Sequence, residues 1–345
     1  MQRSTGASEA ELGLALLAVA LAALPAMLAA GRFADLLGGR LVPIALIAFG
    51  VAACLPGFAR SVPVLVLLLL PLGVTTGTLD VAVNADASRI EAAFRVRVMD
   101  GLHAAFSVGV LVGGVSAGLL RNAGAHPSWI LAGIGVILML SALVNRGGAA
   151  AAVSRRRARI GRGLLVVGGV LALAFLVENG LEAWSALFLE RTFDSSPAIS
   201  GLGPGLFAAA MASGRLLAQR APRTPVVVRM IFAGSSAAAG LVLAAAAPHA
   251  TVALAGFVVA GLGLALSAPT LFGEAGRVGG EGGRGAAVST VAILGYLGFL
   301  AGPPLIGGVA GATSLRGSFV FLAAIALLLA LSAPLLRRPG GEFVG

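Results

Sequence analysis

Long apolar runs alternate with short polar breaks along the whole chain. A spanning helix needs about 20 apolar residues. Eleven runs approach or exceed that length, at roughly 12–30, 41–59, 62–84, 101–120, 128–144, 163–188, 200–218, 230–247, 251–272, 286–309 and 317–336. The expected fold is therefore an all-α polytopic membrane protein with eleven transmembrane helices. Connections between the runs are short, except for 145–162. That stretch, "NRGGAAAAVSRRRARIGR", is polar, basic and rich in Gly and Ala. It reads as a cytoplasmic linker between a five-helix N-terminal bundle (1–144) and a six-helix C-terminal bundle (163–345).

Composition strengthens this reading. Of the 345 residues, 58% are hydrophobic and 11% charged. A soluble domain carries about 25% charge, so this chain cannot cover a water-facing surface of its size. The net charge of +10 comes from 24 basic residues, all of them arginine. With the 31–40 loop placed in the cytoplasm and alternation from there, 19 of the 24 fall on the cytoplasmic side. That bias follows the positive-inside rule, puts the C-terminus in the cytoplasm and accounts for the charge without nucleic acid. The absence of lysine excludes a P-loop and any Schiff-base chemistry. Cys54 stands alone, so no intrachain disulfide is possible. His103, His126 and His249 are far apart and suggest no metal site. No cofactor motif and no nucleophile–base arrangement is found, so the chain is read as a non-enzyme without cofactors.

The two halves repeat. "GRFADLLGGR" at 31–40 is echoed by "GRLLAQRAPR" at 214–223, and "GVLVGG" at 109–114 by "GFLAGP" at 298–303. Repeats of this length point to a two-bundle transporter. The same offset places the counterpart of the 163–188 helix before Met1. The expectation is thus a twelve-helix plan lacking its first helix, with "SEAE" at Ser8–Glu11 as a capping box opening the next one.

Gly31-Arg32-Phe33-Ala34-Asp35-Leu36-Leu37-Gly38-Gly39-Arg40 resembles the loop signature of the major facilitator superfamily. Leu36 and Gly39 stand where basic residues are usual, which weakens the charge relay that the resemblance implies. The stretch "LDVAVNADASRIEAAFRVRVMDGLHAAFSVGVLVGG" is similar to the fucose–proton symporter branch and to uncharacterised bacterial inner-membrane relatives. "ENGLEAWSALFLERTFDSSPAISGLG" also resembles those relatives. The resemblance implies a two-bundle fold working by alternating access, with proton coupling at Asp80. It further implies that Asp35 holds the two bundles together in one state of the cycle.

The residues themselves nominate the sites. Asp80 near the end of an oily run costs about 2.5–3.5 kcal/mol at a helix centre, less near an end. Hydrocarbon penalises the charged form of such a carboxyl, which suits a proton carrier; the plain alternative is a carboxylate reaching the interface. Asn84, four residues on, shares its face. His103 opens the next helix and either contacts Asp80 or caps its own helix. Glu178 and Glu182 share a face at i,i+4 and repel when both are ionised, so one needs a proton or an arginine. Glu178 is assigned to the outer third of its helix as a proton or substrate group. Asn179 and Glu182 join the substrate path, and Trp184 fits an interfacial belt. Asp35, Arg32 and Arg40, with Arg215 and Arg220 of the second copy, form the expected cytoplasmic gate. Gly73/Gly77, Gly109/Gly113 and Gly298/Gly302 are GxxxG pairs expected to pack helices closely.

Together these features describe a secondary transporter of the bacterial cytoplasmic membrane, acting as a monomer on a small-molecule substrate with protons. Proton-coupled symport of a sugar-like solute is the leading expectation. Proton-coupled efflux of a drug or metabolite is the alternative, and a truncated non-transporting membrane protein or sensor is the alternative of another class.

Overall fold

The structure, a computed structural model, describes residues 5–94, 98–145, 161–220, 224–279 and 284–336. The described elements are α1 (Glu9–Leu37), α2 (Leu41–Cys54), α3 (Val62–Phe94), α4 (Met99–Asn122), α5 (Pro127–Val144), α6 (Arg162–Phe193), α7 (Pro197–Arg220), α8 (Val226–Ala246), α9 (Ala250–Leu264), α10 (Ser267–Gly279), α11 (Arg284–Ala312) and α12 (Leu315–Ser332). Short 3-10 turns follow α1, α2 and α12. Taken as one broken span, α9 and α10 bring the count among the described residues to the eleven that the apolar pattern predicts. Ten of these are long and apolar enough to cross a membrane. The eleventh, α7, is as long but is diluted by Ser200, Pro204, Ser213 and Arg215.

Several boundaries differ from the sequence expectation; α3 runs ten residues past its expected end, to Phe94, so Asp80 lies well inside the helix rather than near its end. The run at 251–272 is not one straight helix: it turns at Ala265–Leu266 and continues to Gly279. Pro269 explains the turn, because it has no N–H and its ring collides with the carbonyl four residues back, that of Ala265. The α6 helix runs on to Phe193, five residues past the expected end. Apolar periodicity marks the hydrocarbon-embedded part of a helix, whereas the hydrogen-bonded backbone continues into the polar flank. At the other end of the chain the capping box forms as the sequence suggests. The Ser8 N–H donates to Glu11 Oε2 at 2.9 Å, and the Glu11 N–H donates to Ser8 Oγ at 3.2 Å. Gly38, just past α1, has φ +57°; this left-handed position favours glycine and ends α1, which takes in residues 31–37 of the expected loop.

The chain forms two compact units. One comprises Met1–Phe106 and Leu119–Ser154, the other Ser107–Gly118 and Arg155–Gly345. In lipid there is little hydrophobic force between helices, so close packing through small residues has to supply the association. The first unit uses Gly73 and Gly77 of α3, where an added Cβ would strike the backbone of Val19 and Ala23 on α1. Gly50 of α2 and Gly135 of α5 meet in the same way. In the second unit, Gly298 and Gly302 of α11 lie against the Ala172 and Leu176 carbonyls of α6, and Gly240 of α8 against Gly256 of α9. The third expected pair is corrected. A Cβ at Gly109 or Gly113 would meet nothing within 4 Å among the described residues, and the close approach is made by Gly114 and Gly118 to Gly201 of α7. Gly114 and Gly118 have GxxxG spacing too, so the register chooses between two overlapping pairs that the spacing alone does not tell apart.

Candidate functional site

In the second unit, polar groups gather on one face of α6. Glu178 lies 16 residues from the start of the helix and 15 from its end, at mid-length rather than in the outer third. Its flanks Val177 and Leu181 are fully buried, while Glu178, Asn179 and Glu182 are half-buried. Five residues before the end of α7, Arg215 turns back to this face. Its Nη2 lies 3.6 Å from Glu178 Oε1, with 23% and 14% of the two side chains exposed. Its Nη1 donates to Ser107 Oγ at 3.4 Å. Both contacts are longer than an ordinary N–H···O bond of about 2.7–3.2 Å. Glu182 stands one turn along α6 and shares the face of Glu178. Two acids therefore lie on the face that Arg215 reaches.

Asn179 has a separate commitment. Its amide donates to the Phe299 carbonyl of α11 at 2.6 Å. That carbonyl would ordinarily accept from the N–H four residues on, but the residue there is Pro303 and has none. A side chain from the neighbouring helix satisfies the freed group, as the bilayer requires. Trp184 does related work: it is 1% exposed and its Nε1 donates to the Pro303 carbonyl at 3.2 Å. The expected interfacial position of Trp184 is therefore corrected; it is a buried fastener between α6 and the kinked α11. Beside Asn179, Phe175 makes edge contacts with Phe272 of α10 and Phe299 of α11, at centroid distances of 6.5 and 6.2 Å. These rings give the polar face an apolar flank.

In the first unit, Asp80 and Asn84 occupy successive turns of α3, both half-buried. The Asn84 amide donates to the Asp80 carbonyl at 2.8 Å and to Asp80 Oδ1 at 3.2 Å. The i,i+4 spacing read from the sequence therefore produces a direct contact. Ala82 and Val83 of the same stretch pack on the Leu41, Val42 and Ala45 cluster of α2.

The other nominated residues are distributed as follows. Arg40 is exposed at the end of its 3-10 turn. The side chains of Arg32, Asp35, His103 and Arg220 lie outside the described residues, as do residues 146–160 of the expected linker. His126 caps α5, its Nδ1 accepting from the Ser128 N–H at 3.3 Å. Among the described residues no group of three or more His, Cys, Asp or Glu side chains forms a metal site. Two features escaped the sequence reading. Glu274 of α10 is 5% exposed and paired with Arg277; ending the span at 272 had left it in a loop. Ser107, the hydroxyl that receives Arg215, carries no sequence signal of its own.

Known proteins place this architecture. The profile of the Major Facilitator Superfamily matches residues 1–281. An uncharacterised MFS-type transporter of Yersinia pestis is 31% identical over 348 residues, covering 96% of this chain and 88% of the relative. The membrane protein MosC of Rhizobium meliloti is 28% identical over 342 residues, covering 96% and 83%. Among solved structures, a bacterial homologue of the human lysosomal transporter Spinster, inward-facing and occupied, superposes with a TM-score of 0.71. That likeness covers 97% of this chain and 90% of the other at 17% identity, and shows the fold. Profile, relatives and all-helical fold agree: the chain belongs to the Major Facilitator Superfamily, a family of multi-pass membrane transporters of small molecules and not of enzymes.

Proposed function

We propose that the chain is a proton-coupled symporter of a small hydrophilic solute, acting as a monomer in the cytoplasmic membrane of a bacterium with its C-terminus inside. Two bundles, 1–144 and 163–345, joined by the 145–162 linker, would rock in alternating access. The observation that carries the reading is the Glu178–Arg215 contact on α6, with Glu182 one turn away on the same face. With both carboxyls ionised the group holds an excess negative charge at mid-helix, where hydrocarbon penalises it by about 2.5–3.5 kcal/mol. One proton neutralises the excess, so proton occupancy is tied to the state of the site. Asp80, held by Asn84, is the second candidate for the coupling proton, on the strength of the resemblance to the fucose–proton symporter branch. That same resemblance supports a sugar-like solute. Asp35, Arg32 and Arg40, with Arg220, suit a cytoplasmic gate; Arg215 serves the α6 site.

The test is solute-dependent proton entry into proteoliposomes. Wild-type protein should acidify the lumen when its solute is added outside, and should concentrate that solute under an inward proton gradient. Glu178→Gln and Asp80→Asn should each lower accumulation if the group carries the coupling proton. A variant that still concentrates solute against a gradient removes that residue from the coupling path.

A further inference from the structure

Buried charge outside the α6 face is held at Arg316 and at the Glu274–Arg277 pair. Arg316 is fully engaged, since it donates to the Ala245 and Ala247 carbonyls and lies over the Phe193 ring. Glu274 has its partner one turn away. Arg215 differs in the length of its contacts: among the described residues both of them, to Glu178 and Ser107, are longer than an ordinary hydrogen bond.

We infer that Arg215 is the anion-recognition point of the substrate site, and that the transported solute carries a carboxylate or phosphate which takes the place of the Glu178 carboxylate on the guanidinium. The argument rests on the transport reading above and on an asymmetry of chemistry. For a ligand to enter this contact, one resident charge has to give way. Arginine does not deprotonate in proteins, so a cationic ligand would face a fixed positive charge held between Glu178 and Ser107. A carboxyl can be neutralised. An anion therefore displaces Glu178 at low cost only when Glu178 takes up a proton at the same time. Before exchange the pair holds Glu178⁻ and Arg215⁺; afterwards it holds protonated Glu178, Arg215⁺ and the solute anion. For a singly charged anion, a carboxylate or a monoprotonated phosphate, the net charge is unchanged, and one proton accompanies one anion. A neutral solute supplies no such exchange.

The surroundings fit this assignment. A planar guanidinium matches carboxylate and phosphate in a bidentate fork. Ser107 Oγ already lies within 3.4 Å of the guanidinium. Glu182 shares the α6 face one turn away. Among the described side chains, the remaining charged or titratable groups on the helices packed against α6 are Glu274 with Arg277 on α10, Tyr296 on α11 and Arg316 on α12. Glu274, Arg277 and Arg316 are committed to each other or to backbone carbonyls, and Tyr296 packs on Phe299.

The experiment uses full-length protein in liposomes and one polyol scaffold in four charge forms. An equimolar mixture of glucose, gluconate, glucose 6-phosphate and glucosamine is offered outside under an inward proton gradient, and luminal contents are measured by mass spectrometry. Gluconate or glucose 6-phosphate should accumulate at least tenfold over glucose and glucosamine, and the preferred member identifies the anionic group. Arg215→Gln should abolish that preference, and Arg215→Lys should retain part of it. Glu178→Gln should still exchange the labelled anion across the membrane while losing at least tenfold in proton-driven accumulation. Because Arg215→Gln alone strands two acids, the Glu178→Gln/Arg215→Gln double variant serves as the folded control and should also lack the anion preference. Accumulation of glucose or glucosamine instead overturns the inference and leaves the transport reading standing. An anion preference that survives in the double variant also overturns it. Accumulation of nothing overturns the transport reading, and this inference with it.

Discussion

Asp80 and Glu178 are both half-buried carboxyls inside long membrane helices, but their described partners come from different places. Asp80 meets Asn84 of its own helix, one turn away. Glu178 meets Arg215, which arrives on a different helix 37 residues later. A local partner is set by helical spacing and travels with the helix wherever it moves. A partner from another helix depends on how α6 and α7 pack, and breaks when they shift. The first arrangement orients a carboxyl; the second couples its charge to tertiary structure. The interhelical contact makes the α6 site a sensor of how α6 and α7 pack.

The largest effect should come from cutting the interhelical pair on one side. Removing one member of a fully buried ion pair costs about 3–5 kcal/mol. With 14% and 23% of the side chains exposed, Arg215→Gln should cost about 2–3 kcal/mol on the same scale, discounted for that exposure. Thermal unfolding in detergent would read this, and the Glu178→Gln/Arg215→Gln double variant should recover at least half. If both lose equally, the pair is not the source of the effect.

Next comes the packing that holds the α6 face in place. Gly298→Val would push side-chain atoms into the Ala172 backbone, and overpacking of this kind costs about 1–3 kcal/mol. Gly109→Val, which meets open space, should stay within about 0.5 kcal/mol of wild type. Equal losses in the two variants would contradict the packing register.

The Asn179 contact sharpens the comparison further, since it too joins two helices. Asn179→Leu leaves the Phe299 carbonyl without its donor, at a cost of about 1–3 kcal/mol. Pro303→Ala restores a backbone N–H four residues on, so the double variant should regain stability relative to Asn179→Leu. The same thermal assay decides; no rescue would mean that Asn179 acts other than by satisfying this carbonyl.

The smallest effect belongs to the local pair. Asn84→Ala removes hydrogen bonds within one helix on a half-exposed face, and should cost about 0.5–1.5 kcal/mol. A loss as large as that of Arg215→Gln would erase the distinction between the two carboxyls.

How far the sequence reached follows from the range of each interaction. The membrane spans, the Ser8–Glu11 capping box and the Asp80–Asn84 contact were legible because each is set by spacing along one helix. The i,i+4 relation of Glu178 and Glu182 was equally plain, as was their need for a proton or an arginine. Which arginine was not. Arg215 was assigned by its repeat motif to the gate, because sequence offsets do not report which way a side chain turns between packed helices. The depth of Glu178 was misjudged for a related reason. Hydropathy falls off at Glu190–Arg191, but the backbone remains helical to Phe193.

The sequence by itself determined that this protein is a helical multi-pass membrane protein, since apolar runs about 20 residues long have few other ways to satisfy their backbone. Only the tertiary structure decided that Asn179 and Trp184 mend α11, that Gly114 rather than Gly113 meets α7, and that Arg215 stands against Glu178. Those outcomes depend on the rotation and register of one helix against another, which are fixed by close packing of small residues across the interface and not by any stretch of chain taken alone.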